Sequence, residues 1–184
     1  FRRVLFRSAM AALTESWANI NSGSYNLAGL RVMRDALAQG FAPLQGDVEV
    51  LKLAPIHQIN ASGVAVEVPM AEALTIRKRP HAPLQVLLVG HMDTVYGVDH
   101  PFQAVTRRDG NILNGPGVAD LKGGLVVMLH ALMALEQSPW AENIGWQVLL
   151  NPDEEIGSIA SDPLLKDAAQ GKHVGLVYEP ALAD

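Results

Sequence analysis

Apolar and polar positions follow two rhythms along this chain. Residues 9–20 and 26–39 carry the 3.6-residue spacing of amphipathic helices. In the second, Leu27, Leu30, Val32, Met33 and Leu37 form a stripe that Gly40 ends. Asn21-Ser22-Gly23-Ser24 between them reads as a turn. Shorter runs then predict strands at 48–53, 64–68 and 73–76, the last two as a hairpin. Residues 84–89 are almost wholly apolar, the pattern of a strand buried on both faces. An edge hairpin is predicted over 105–113, turning at Asp109-Gly110. Residues 121–136 predict a helix with Leu125, Met128, Leu132, Met133 and Leu135 for burial. Strands follow at 145–150 and 174–177, around a helix at 156–168 that Pro163 interrupts. This alternation predicts an α/β fold, with a mixed, largely parallel sheet flanked by helices.

Composition narrows the class. At 184 residues the chain is long enough for one domain with a sizeable core, and 49 % hydrophobic residues fit a globular one. Fourteen Lys and Arg stand against 19 Asp and Glu, for a formal charge of −5, which argues against nucleic acid as a partner. Cysteine is absent, so disulfides and thiolate metal sites are excluded. The longest apolar run, 124–135, is interrupted by His130 and falls short of the roughly 18–20 residues that cross a bilayer, so no membrane partner is expected.

Four chemical clusters punctuate the second half: Gly90-His91-Met92-Asp93, Gly117-Val118-Ala119-Asp120, Asp153-Glu154-Glu155 and Tyr178-Glu179-Pro180. Each stands at the end of a predicted strand, and ligand sites in helix-covered parallel sheets lie beyond the carboxyl ends of the strands. Imidazole and carboxylate ligands without sulfur suit zinc, cobalt or manganese. In an extended segment residues i and i+2 face the same way, so Asp93 can take the far N–H of a metal-bound His91. Each cluster alone also has a plainer reading. His91 and Asp93 fit a buried histidine tied to a carboxylate, Asp120 an N-cap, Glu154-Glu155 a helix N-terminus, and Glu179-Pro180 an ordinary loop acid. Gly123 and Gly124 are poor helix formers and make sense where the helix must pack close against the sheet. A phosphate loop fails on detail, because Lys122 has Leu121 before it and Gly123 after it.

Taken together and in order, Gly-His-Met-Asp-Thr-Val, Gly-Pro-Gly-Val-Ala-Asp-Leu-Lys-Gly-Gly, Asp-Glu-Glu-Ile-Gly-Ser and Glu-Pro resemble the M20 family of metallopeptidases and amidohydrolases. That family includes glutamate carboxypeptidases, acetylornithine deacetylases and succinyl-diaminopimelate desuccinylases. Spacings of 29 residues from His91 to Asp120, 34 on to Glu154 and 24 from Glu155 to Glu179, with Thr94-Val95-Tyr96, resemble the glutamate carboxypeptidase branch most.

The resemblance implies two zinc ions, with cobalt or manganese as substitutes. Asp120 would bridge them, His91 and Glu179 would complete one site, and Glu155 would bind the other. It implies Glu154 as the general base toward a metal-bridging water, Asp93 as the residue that orients His91, and a cis peptide at Asp120–Leu121. The implied reaction is hydrolysis of the amide bond of an N-acyl amino acid or small peptide. Deacylation of N-acetylornithine or N-succinyl-diaminopimelate is the alternative, and a non-catalytic metal-binding relative is the alternative of another class. The family also has a late histidine ligand and a lid and dimerisation domain, so a homodimer is expected of the full-length protein. Ending at Asp184, the chain reads as truncated before that lid and is expected to be inactive alone. Residues 1–8 read as a translated sequencing-adapter end, leaving residues 9–184 as the N-terminal part of a di-metal catalytic domain.

Overall fold

The structure, a computed structural model, describes residues 2–109 and 112–181, with side chains from Arg7 onward. Its elements in chain order are α1 (Arg2–Ala18), α2 (Leu27–Phe41), β1 (Asp47–Leu51), β2 (Ile56–Ile59), β3 (Ala65–Val68), β4 (Ala73–Lys78), β5 (Leu84–His91), β6 (Thr106–Arg108), β7 (Ile112–Asn114), α3 (Gly123–Glu136), β8 (Ile144–Asn151), α4 (Asp162–Ala169) and β9 (Val174–Val177). A wide turn, Val118–Lys122, leads into α3.

The main sheet runs β1-β4-β8-β5-β9. The pairs β1–β4 and β4–β8 are antiparallel, whereas β8–β5 and β5–β9 are parallel. The sheet is therefore mixed with a parallel core, as the alternation of elements predicts. Side-chain alternation along the strands feeds two cores. Leu74, Ile76, Leu88, Val148 and Leu150 face α1, α2 and α3, whose Trp17, Leu30, Met33, Leu37 and Leu125 are all buried there. Leu87 and Leu149 face the opposite way, against α4 through Ala168, Leu164 and Leu165. Fully burying each large aliphatic side chain stabilises by about 1.5–3 kcal/mol. The helix α2 starts where Asn26 caps it, its side chain accepting the Gly29 N–H at 3.0 Å.

Glycine sets how closely α3 approaches. A Cβ on Gly90 would sit 2.7 Å from Leu125 Cδ2, and one on Gly124 would sit 2.3 Å from the Tyr178 carbonyl oxygen. The two glycines let the helix lie against β5 and against the chain leaving β9, beneath the candidate site.

Several expectations are corrected. Residues 64–68 and 73–76 do not pair: β3 pairs with β2, and β4 joins the main sheet. Asn60 closes the β2–β3 hairpin, its side chain accepting the Ser62 and Val64 N–H groups, and Pro69 interrupts the chain before β4. The strand β9 is exposed along its length, because among the described residues it pairs only with β5, at the edge of the sheet. The helix expected from residue 156 starts at Asp162, with Pro163 in its first turn where a missing N–H costs nothing. The helix α1 begins at Arg2 rather than at residue 9. Residues 118–136 are, by length and apolar composition, sufficient to cross a membrane, which the run 124–135 alone is not. Here that stretch is the central packed helix, with Leu125, Val126, Met128, Leu129 and Leu132 buried. The strands β6 and β7 form the expected hairpin, and the tip at Gly110 lies outside the described residues.

Candidate metal centre

The parallel core brings the carboxyl ends of β5, β8 and β9 to one rim. His91 is the last residue of β5 and lies level with Asn151 at the end of β8. Glu179 follows β9 by two residues, and Glu154 opens a short 3-10 turn just past β8. Asp120 sits inside the turn before α3 with extended backbone angles, and the Asp120–Leu121 peptide is cis. The turn is anchored from below by buried Leu121 and Lys122, whose Nζ donates to the Ile20 carbonyl at 2.7 Å. Burial lowers the Lys122 pKa to about 8.

His91 is fully buried and its Nε2 faces three carboxylates. Asp120 Oδ1 is at 2.9 Å, Glu179 Oε1 at 3.6 Å and Glu154 Oε2 at 3.9 Å. One ligand atom from each of His91, Asp120 and Glu179 lies within 4.8 Å of the other two. Glu155 does not join that cluster. Its backbone N–H donates to Asp93 Oδ2 at 3.1 Å, so it sits on the same rim with its side chain beside the group.

Asp93, also fully buried, ties the centre together. The His91 Nδ1–H points between its backbone carbonyl at 3.1 Å and its Oδ1 at 3.2 Å. The same carboxylate accepts the Ser24 hydroxyl at 2.7 Å and the Glu154 N–H at 3.2 Å, besides that of Glu155. It therefore holds the histidine ring and the glutamate turn in one frame.

Two positioning groups escape a sequence reading. Ser24 was legible only as part of a turn. Asp153 was legible as one of three acids, but not as the buried one. Its carboxylate accepts the Ala160 and Ser161 N–H groups at 2.8 and 3.1 Å and the Asn151 side chain at 3.2 Å, which pins the loop carrying Glu154 and Glu155.

The electrostatics record crowding of like charge. Burial raises the Glu155 pKa, and the nearby Asp120, Asp93 and Glu154 carry it to about 7 against a smaller opposing effect of His91. Glu179 is raised by burial, and by Asp120 and Glu154, with His91 opposing. Burial pushes His91 down, but its hydrogen bond to Asp93 and the surrounding acids outweigh this and hold it at about 9. Partly buried carboxylates around one imidazole, oxygen and nitrogen donors only, and an acceptor behind the ring are what a divalent cation requires. The residues present fit such an ion.

The family model described as Peptidase family M20/M25/M40 matches residues 87–184. Carboxypeptidase G2 of Pseudomonas sp. (strain RS-16) is 40 % identical over 98 residues, which are 53 % of this chain and 24 % of that protein. Among solved structures, human carnosine dipeptidase 1 superposes with a TM-score of 0.76 at 19 % identity, over 97 % of this chain and 40 % of that one. The M20 family metallo-carboxypeptidase Sso-CP2 from Sulfolobus solfataricus gives 0.70 at 17 % identity, over 94 % and 38 %. The chain thus spans about a quarter of the curated relative and two-fifths of these solved chains. The two structural likenesses show the fold, and the family model spans all four clusters. The chain belongs to peptidase family M20/M25/M40.

Proposed function

We propose that this chain carries the metal-binding residues of a zinc-dependent hydrolase that cleaves the amide bond of an N-acyl amino acid or small peptide. The observation that carries this reading is the cluster of His91, Asp120 and Glu179, with a further carboxylate, Glu154, 3.9 Å from His91 and outside the ligand set. In this reading His91, Asp120 and Glu179 would hold one cation, and Asp120 with Glu155 would hold a second. Cations held there would supply Lewis-acid polarisation of the scissile carbonyl and lower the pKa of water.

The protein's own residues do the rest. Asp93 keeps the proton of His91 on Nδ1, which leaves Nε2 for a ligand bond. Glu154 takes the proton of the attacking water at its carboxylate and delivers it to the leaving nitrogen, so that a carboxylic acid and an amine leave. A base at this position has to stay off the metal, because a coordinated carboxylate has lost basicity. Likeness to Carboxypeptidase G2 favours the carboxypeptidase form of the reaction over deacylation, and the resemblance of the motifs to the glutamate carboxypeptidase branch makes a C-terminal glutamate the leading leaving group.

The test uses the complete gene product with zinc. Glu154→Gln is expected to retain metal and lose about 10²–10⁴-fold in turnover, the usual contribution of a placed general base. Glu155→Gln is expected to lose metal instead. The reverse pattern by metal analysis would exchange the two roles, and no zinc-dependent amide hydrolysis by the parent would remove the reading.

A further inference from the structure

A cavity of about 620 Å³ opens beside the metal centre and is not used by the chemistry above. Glu155 forms part of its wall, and Ser24, which holds Asp93, forms another part. Tyr25, Val95 and Val98 line it too, and all three are exposed, large apolar side chains that no core in the fold buries. Its volume lies within the range of small-molecule sites.

The wall is built before any ligand arrives. Asn21 Nδ2 donates to the Tyr96 carbonyl at 3.1 Å and to Gln103 Oε1 at 2.6 Å. Gln103 in turn donates to the carbonyls of Gly97 and His100 at 2.8 and 2.6 Å. The Tyr96 ring packs on His100 and Phe102, with centroids 4.9 and 5.0 Å away. The loop that carries Val95, Gly97 and Val98 is thus fastened from behind, and little ordering cost remains for binding.

Charge decides which part of a substrate belongs here. Among the described residues that line the cavity, Asp99 and Glu155 are acidic, His100 is an imidazole, and none is Lys or Arg. With Glu155 engaged by a cation, a free carboxylate, which the amino-acid half of the substrate carries, finds no Lys or Arg there and meets Asp99 among the apolar side chains of Tyr25, Val95 and Val98. The half on the other side of the scissile carbonyl need carry no charge.

We propose that this cavity is the acyl-side pocket and that it takes a bulky, uncharged apolar acyl group. This rests on the amide-hydrolase reading for the identity of the ligand, though not for the presence of the cavity. Substrates with large apolar acyl groups are then bound better than acetyl or formyl ones, through Val95, Val98 and Tyr25.

The probes are acetohydroxamate and cyclohexanecarbohydroxamate, which share a zinc-binding head and differ only in the acyl group. Their affinities for the zinc-loaded complete gene product are measured by calorimetry, so no turnover is needed. The cyclohexyl compound is expected to bind at least about tenfold more tightly, as burial of one apolar group provides. Gly97→Leu should cut that preference to about threefold or less. A Cβ at Gly97 meets no heavy atom within 4 Å, so the added bulk enters open space without distorting the backbone. Val98→Trp, at a residue that is 60 % exposed, is the second filling variant and should act the same way. Equal affinities, absence of zinc-dependent binding, or a preference that survives both substitutions overturns the proposal. Hydrolysis of N-acyl amino acids by the complete gene product is scored separately. Hydrolysis without the preference removes the pocket alone, and the preference without hydrolysis removes the hydrolase reading alone.

Discussion

Asp93→Asn is the substitution that tests most sharply how this centre is held. The Asp93 carboxylate meets donors on both oxygens. Oδ1 faces the His91 Nδ1–H and the Glu154 N–H, and Oδ2 faces the Ser24 hydroxyl and the Glu155 N–H. Asparagine offers one oxygen and one NH₂ in the same space. If the NH₂ takes the Oδ2 side, the Ser24 hydroxyl can turn and accept, but the Glu155 N–H is left facing a donor. If it takes the Oδ1 side, His91 can give up its Nδ1 proton and accept, but the Glu154 N–H is stranded. Either way one backbone N–H loses its acceptor, at about 1–3 kcal/mol. The remaining bonds also lose the strengthening that a charged acceptor gives. The expected loss is about 2–4 kcal/mol of unfolding free energy, a large share of what a domain has. Urea denaturation of the metal-free chain, followed by the fluorescence of buried Trp17 and Trp146, measures it. Ser24→Ala removes one donor and leaves the carboxylate, so it should cost only about 1 kcal/mol. An Asp93→Asn midpoint within about 0.5 kcal/mol of the parent, or a larger effect from Ser24→Ala, would refute the shared-acceptor argument.

Two further outcomes follow from other parts of the fold. Glu136 accepts from Arg79, and also from Lys78 and Trp146, which together hold its pKa at about 2 although burial opposes them. A depressed carboxylate stabilises fully above its unfolded pKa, and that stability disappears as pH falls from about 4.5 toward about 2. Roughly 3 kcal/mol should be lost across that window, and the parent-minus-Glu136→Gln difference in acid unfolding should isolate it. Gly124→Ala should lower stability by about 1–2 kcal/mol despite the roughly 1 kcal/mol of helix propensity gained, because the new Cβ meets the Tyr178 carbonyl at 2.3 Å; an unchanged urea midpoint would sink this.

What was legible in the sequence divides along a physical line. Helices α2 and α3 and strands β5 and β8 announced themselves because each buries a continuous apolar face, and a periodic pattern records burial directly. The β2–β3 hairpin did not, because His57, Ile59, Ala65 and Glu67 alternate no clear face and the pairing is set by the Asn60 turn. The start of α4 was missed for a related reason. Gly157 and Ser158 take positive φ and turn the chain before Asp162, and an apolar count cannot see a dihedral angle. In the candidate site, the residue types and their order were readable, since few roles other than metal binding draw His and carboxylates to successive strand ends. Their relative depth was not. Of the adjacent acids Asp153, Glu154 and Glu155, the first is fully buried against backbone N–H groups and the second stands half-exposed near His91. The third carries the pKa that burial and its neighbours raise. Three chemically similar side chains thus receive three environments from a single turn, and that turn is fixed by Asp93 and Ser24 from two distant segments of the chain. Local sequence names the groups, whereas contacts between residues 24, 93 and 154 assign their surroundings, and only the fold brings those three together.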